Sequence, residues 1–143
     1  MQVLYTAEVT AVGARSGHAT SSDRLLDVPL ALSSAMGGKG GATNPEQLFA
    51  AGYAACFGGA VEYLAQQQKL ITGTVTVKAN VGIGPYDLGQ GEGFTLRVDL
   101  DVTLPELDQA AAENLVAAAH RTCPYSNATR RNIEVNLTAH GEN

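Results

Sequence analysis

Cys56 and Cys123 are the only two cysteines among 143 residues, and each lies in a segment of unusual composition. The first is embedded in Ala50-Ala51-Gly52-Tyr53-Ala54-Ala55-Cys56-Phe57, the second in Arg121-Thr122-Cys123-Pro124-Tyr125-Ser126-Asn127-Ala128-Thr129. Such a pair can be core filler, a structural disulfide, half of a metal site or a redox couple. A metal site wants several ligands at short spacing. The chain offers no Cys-x-x-Cys and no His-x-x-x-His, and its three histidines, His18, His120 and His140, are isolated. A purely structural bridge is disfavoured if the chain resides in the reducing cytoplasm. Two thiols packed as small hydrophobes remain the plain alternative to a redox couple.

The two cysteines are not equivalent. Cys56 falls in the middle of an expected helix on its apolar face, where desolvation raises a thiol pKa and suppresses the reactive thiolate. A reactive Cys56 therefore needs a nearby cation. Cys123 falls near the negative C-terminal end of another expected helix, where a thiolate is disfavoured. The asymmetry suits a division of labour in which Cys56 attacks and Cys123 resolves. Of nine Lys and Arg residues, Arg15 stands out, because a glycine-flanked turn, Gly13-Ala14-Arg15-Ser16-Gly17, could deliver it into a pocket. It could equally be a solvated turn charge. Its guanidinium is permanently charged and can hold a carboxylate and an anion together. Glu46 is a candidate for that carboxylate, although a glutamate in the first turn of a helix also needs no further role. Ten residues separate Glu46 from Cys56, roughly 15 Å along a helix and about 80° around it. If both serve one site, the glutamate is expected from a second subunit, making a two-fold dimer part of the site.

The surrounding pattern predicts elements that could position these groups. Residues 2–10 alternate as a half-buried strand, and His18–Ser22 and Leu25–Leu30 read as two further short strands. Asn44 as N-cap, Pro45 at the first helical position and Gln47 in a capping box predict a long helix. Leu48, Gly52, Cys56, Ala60 and Leu64 form one apolar ladder on it, with Phe49, Tyr53, Phe57 and Val61 beside it, so a central helix buried on most sides is expected. Phe49, Phe57, Leu48 and Leu64 could line an apolar pocket or simply fill the core. Residues 74–83 and 94–104 alternate as two antiparallel strands joined by the loop 84–91. Pro105 and Glu106 are expected to open a second helix that ends at about His120-Arg121, with Pro124 stopping it. Ile133, Val135, Leu137 and Ala139 mark a last strand. The order βββ-α-ββ-α-β, with hairpins and only two helices, makes this an α+β domain of antiparallel sheets.

Length fits one domain, 1–143, that buries about 70% of its unfolded surface, so no disulfide is needed to hold it together. A net charge of −5 argues against nucleic acid, which demands a positive surface. The N-terminal residues carry no leader pattern, and no apolar run approaches the roughly 18 residues of a membrane span. A soluble, cytoplasmic chain is expected, with the sequons at Asn127 and Asn136 fortuitous.

The segments Ala42–Phe57 and Cys123–Arg130 closely resemble the organic hydroperoxide resistance proteins of the Ohr/OsmC family. The likeness extends through Ser21-Ser22-Asp23, Leu26-Asp27-Val28 and Val81-Gly82-Ile83-Gly84 to nearly the whole chain. Tyr53 and Tyr125 are more similar to the Ohr branch. The resemblance implies the OsmC-like fold as an intertwined homodimer and a thiol peroxidase without haem, flavin, metal or other bound cofactor. It implies organic (alkyl or fatty-acyl) hydroperoxides as substrates and dihydrolipoyl groups of lipoylated proteins as reductant. Cys56 then matches the peroxidatic cysteine, Cys123 the resolving cysteine, Arg15 the arginine of the mobile turn and Glu46 its partner. Two departures are visible: the turn reads Gly-Ala-Arg-Ser-Gly where a second glycine and an aspartate are common, and Arg131 stands where glycine is common. A non-catalytic redox-responsive protein, or an apolar-ligand-binding dimer, are the competing readings.

Overall fold

The computed structural model describes residues 1–87 and 89–143; Leu88, in the loop expected at 84–91, lies outside the described residues. The chain forms two compact units, Met1–Leu48 and Phe49–Asn143.

In Met1–Leu48, three short strands pair in sequence order as an antiparallel sheet: β1 (Val9–Val12), β2 (His18–Ser21) and β3 (Asp27–Pro29). The register Val12↔His18 leaves Gly13–Gly17 as the connection, containing one 3₁₀ turn at Ala14–Ser16. The alternation at residues 2–10 predicts a longer first strand than forms. Residues 1–8 join no strand, and Val3, Leu4 and Tyr5 are exposed. A half-buried pattern needs something to be buried against, and the single chain does not provide it. Ala19 and Leu30 are the only wholly buried apolar side chains of this unit.

Helix α1 (Pro45–Gln68) begins where the sequence predicts. The Asn44 Oδ1 accepts from the Gln47 N–H at 2.9 Å, as an N-cap should. The capping box is incomplete, because the Gln47 side chain takes the hydroxyl of Thr43 at 2.8 Å instead of turning back to the cap. By length and composition α1 is apolar enough to cross a membrane, contrary to the expectation that no such segment exists. Its buried face is Tyr53, Phe57, Ala60, Val61 and Ala65, while Ala51, Ala55, Gly59 and Glu62 are exposed. Within one chain the helix is therefore buried along one side, not on most sides as its small residues suggest.

Phe49–Asn143 is built on a mixed sheet of β4 (Thr76–Pro85), β5 (Phe94–Leu104) and β6 (Glu134–Gly141), in that order. The β4–β5 hairpin is antiparallel, as its alternation and loop predict. The last strand corrects the expectation of antiparallel sheets, because β6 pairs parallel to β5. Alternation specifies which side chains face inward but not the direction of the chain. The register aligns Val81, Val98 and Val135, then Ala79, Leu100 and Leu137, then Val77, Val102 and Ala139. These rows pack with Tyr53, Phe57 and Val61 of α1 and with Ala112, Leu115, Val116 and Ala119 of α2 in one apolar cluster. Fully burying a side chain of this size contributes about 1.5–3 kcal/mol, so the cluster dominates the stability of the unit.

Helix α2 (Gln109–Thr122) starts later than Pro105 and Glu106 suggest, because Asp108 is its cap and accepts from the Ala111 N–H at 2.8 Å. It ends at Cys123, but Pro124 does not simply stop the chain. A third helix, α3 (Pro124–Thr129), follows at once with Cys123 as N-cap and Pro124 in its first turn. Proline suits the first turn of a helix as well as the region after its end.

Candidate active site

Cys56 occupies the middle of α1, one residue before the wholly buried Phe57, and is itself half-buried. Cys123 is wholly buried at the α2–α3 junction, where it caps both helices. Both thiols are free. The Cys123 Sγ–H donates to Cys56 Sγ across 3.7 Å. A disulfide needs the sulfurs at about 2.05 Å, a closure of less than 2 Å. Residues 67 apart in sequence thus meet because α2 and α3 return the chain to α1.

Burial pushes the Cys56 thiol above its ordinary value, as its place on the helix predicts. The backbone N–H of Tyr125 opposes this by favouring the thiolate, and the adjoining Cys123 raises the thiol again. Within the described residues of Phe49–Asn143, the group that favours the Cys56 thiolate is the Tyr125 peptide N–H.

A buried polar network behind Tyr125 and Cys123 is the part of the site that the sequence does not reveal. Tyr53 Oη lies 2.9 Å from Ser126 Oγ and 3.0 Å from Thr129 Oγ1. Ser126 Oγ is also 2.9 Å from His120 Nδ1, and Thr129 Oγ1 donates to the Tyr125 carbonyl at 2.9 Å. Tyr53 and Ser126 are wholly buried. The available signal was Tyr53 itself: a phenol on the apolar ladder has to find a partner for its hydroxyl. At the far end of α3, Arg130 donates to the His120 carbonyl at 2.7 Å and to Asn127 Oδ1 at 2.7 Å. Burial, then Arg130 and Arg121, hold the His120 imidazole below its ordinary value.

The aromatic residues divide between core and site. Phe57 is wholly buried within the core cluster, where it serves as packing, one of the two roles its sequence allows. Phe49 meets Tyr53 and Tyr125 edge-on at 6.0 and 5.9 Å between ring centres. Tyr125 remains more than a third exposed.

Arg15 and Glu46 form the expected pair within Met1–Leu48. Arg15 Nη1 and Nη2 donate to the two Glu46 carboxylate oxygens at 3.0 and 2.8 Å, a two-pronged contact. The hydrogen bonds from Arg15 hold the Glu46 carboxyl below its ordinary value against the opposing effect of burial. The same pairing raises Arg15. The turn that presents Arg15 is conformationally demanding: Gly13 and Ala14 both have positive φ, 79° and 50°. Ala14 thus sits where glycine is the unstrained residue. Arg131, at the other departure from the family pattern, also has a positive φ, 67°. Among the described residues, no group of three or more His, Cys, Asp or Glu side chains could hold a metal ion.

The chain is similar to known proteins over most of its length. The family model described as OsmC-like protein matches residues 38–138. An organic hydroperoxide resistance protein of Xanthomonas axonopodis pv. citri is 52% identical over 139 residues, covering 96% of this chain and 95% of that protein. OhrB of Bacillus subtilis, also named an organic hydroperoxide resistance protein, is 46% identical and covers 94% and 96%. The crystal structure of an organic hydroperoxide resistance protein from Elizabethkingia anophelis, carrying thiocyanate from the crystallisation medium, matches with a TM-score of 0.92 at 44% identity over 99% of each chain. Sequence and architecture agree along almost the full length, and the chain belongs to the Ohr/OsmC family.

Proposed function

We propose that the chain is a cysteine-based peroxidase that detoxifies organic hydroperoxides. The observation that carries this reading is the Cys123 thiol held 3.7 Å from Cys56, both sulfurs free, with the Tyr125 N–H directed at Cys56. The relatives named organic hydroperoxide resistance proteins, at 52% and 46% identity, support the substrate class. The Cys56 thiolate attacks the terminal oxygen of ROOH, the O–O bond breaks, and the departing alkoxide takes up a proton to leave as alcohol. Cys56 then carries a sulfenic acid. Cys123 attacks that sulfur, water leaves, and a Cys56–Cys123 disulfide remains. An external dithiol, a dihydrolipoyl group on a lipoylated protein, reduces the bridge and becomes a disulfide itself, so no bound cofactor is required.

Burial raises the Cys56 thiol, so the reaction needs a cation that α1 does not supply. In this reading the working unit is a homodimer in which the partner subunit's Arg15, held by its own Glu46, stands beside Cys56. The guanidinium stabilises the thiolate and the charge developing on the alkoxide, an effect worth about 2.7–4 kcal/mol where one such donor is removed. Support comes from the helical separation of Glu46 and Cys56. The exposed Val3, Leu4, Tyr5, Val9 and Val12 add to it, because apolar surface on this scale calls for cover. A reducing, cytoplasmic setting completes the proposal, since the resting thiols must be regenerated after each turnover.

The deciding experiment is peroxide consumption by wild type, Cys56→Ser and Cys123→Ser, supplied with dihydrolipoamide or another dithiol. Saturable consumption of an organic hydroperoxide, lost in Cys56→Ser, is expected. Oxidation no faster than that of a free thiol would defeat the peroxidase reading and favour a passive redox reporter.

A further inference from the structure

The polar network behind the thiols has one consistent arrangement of protons. Its four contacts run from His120 Nδ1 to Ser126 Oγ, then to Tyr53 Oη, then to Thr129 Oγ1, and end on a backbone carbonyl. Three hydroxyls supply three protons. A carbonyl oxygen has none to give, so Thr129 donates to it, whether to Tyr125 at 2.9 Å or to the more distant Ser126 carbonyl at 3.4 Å. Tyr53 must then donate to Thr129, and Ser126 to Tyr53. The contact at 2.9 Å between His120 and Ser126 is left without a hydroxyl proton. It can only be filled by an N–H on His120 Nδ1.

We infer that His120 is a positioning residue for the thiol pair: its Nδ1–H starts a one-way hydrogen-bond chain that latches α3 onto α1 and holds the Tyr125 N–H and Cys123 against Cys56. The chain passes through side chains that are wholly buried, Tyr53 and Ser126, so a missing proton would leave an oxygen–oxygen contact with no water to relieve it. Both ends of the latch matter to the thiols. Ser126 and Thr129 are the two buried residues of α3, and the helix begins at Cys123 itself. The inference rests on the cysteine-based reading of this site, yet its central statement concerns a proton on an imidazole.

Two measurements test it. Nitrogen–proton correlation spectra of histidine-labelled protein should show His120 with its proton on Nδ1; a neutral ring protonated on Nε2 would overturn the chain. In a Cys123→Ser background, where Cys56 is the single thiol, iodoacetamide alkylation should be followed against pH. His120→Leu and Tyr53→Phe are expected to slow alkylation about tenfold at a fixed pH below the thiol's titration, the change that a shift of roughly one pH unit produces. His120→Asn, whose amide keeps an N–H near the Nδ1 position, should stay within about twofold of its parent. Unchanged pH profiles in both His120→Leu and Tyr53→Phe would show that the network only supports the fold and would overturn the positioning role. Peroxide consumption that survives Cys56→Ser would remove the peroxidase reading while leaving these two tests intact.

Discussion

Gly52 lies beneath the ring of Tyr125: a Cβ placed at position 52 would stand 2.6 Å from the phenol oxygen and 3.1 Å from the carbon that bears it. The missing side chain makes room for an aromatic ring one helical turn before Cys56. Gly52→Ala should therefore push the Tyr125 ring away. Alanine favours the helix by about 1 kcal/mol over glycine, so thermal stability should change by no more than about that amount. Turnover of bulky hydroperoxides should change more than that of small ones. Equal kinetics for both substrate sizes would show that the ring has no part in the site.

Gly17 controls the turn that carries Arg15. A Cβ there would fall 1.6 Å from the Val12 carbonyl oxygen, an overlap with backbone that cannot be relieved by rotating a side chain. Gly17→Ala should displace the Arg15 turn and lower peroxide turnover about 100-fold, the order expected when a charge-stabilising donor is lost. Arg15→Lys should fall similarly, since an ammonium cannot reproduce the two-pronged contact. Near-normal kcat/KM in both variants would remove Arg15 from the mechanism.

The Glu46 carboxyl titrates below its ordinary 4.5 because Arg15 hydrogen-bonds to its charged form. The unfolded chain thus binds more protons than the folded one between the depressed value and 4.5. Stability from this pair is complete above pH 4.5 and is lost as pH falls through the folded value. Urea midpoints of wild type and Glu46→Gln should differ by a constant amount above pH 4.5 and converge below it. A gap that persists unchanged into acid contradicts the pairing.

Cys123→Ser removes the thiol proposed to resolve while leaving the one proposed to attack. One equivalent of organic hydroperoxide should add a single oxygen to Cys56, and excess peroxide should carry it on to the sulfinic acid. Intact-mass spectrometry reads both steps. Sustained turnover of Cys123→Ser at the wild-type rate with dihydrolipoamide would make the internal disulfide dispensable.

Much of this arrangement was legible in the chain. The strict alternation of Phe94–Leu104 marks that strand from its first residue to its last. Asn44 announced the start of α1, and the chemistry of a guanidinium and a first-turn carboxylate pointed to Arg15 and Glu46, which do pair. Other features were hidden for definite reasons. Pro124 is as compatible with ending α2 as with opening α3, and the alternation of β6 carries no record of its direction. The hydroxyl network joins Tyr53 to residues more than 70 positions later. No periodicity connects groups that meet only after the sheet has formed.

The parallel pairing of β6 with β5 has a consequence for how the chain comes into being. Its partner strand β5 is complete by Leu104, yet Val135, Leu137 and Ala139 cannot fill the neighbouring rows until the last strand in sequence has arrived. Contacts of such long sequence separation form late and slowly. The apolar cluster that holds Cys123 is therefore complete only once the last strand has been made and paired. The burial of Cys123 thus depends on the far end of the chain as well as on the two helices that it caps.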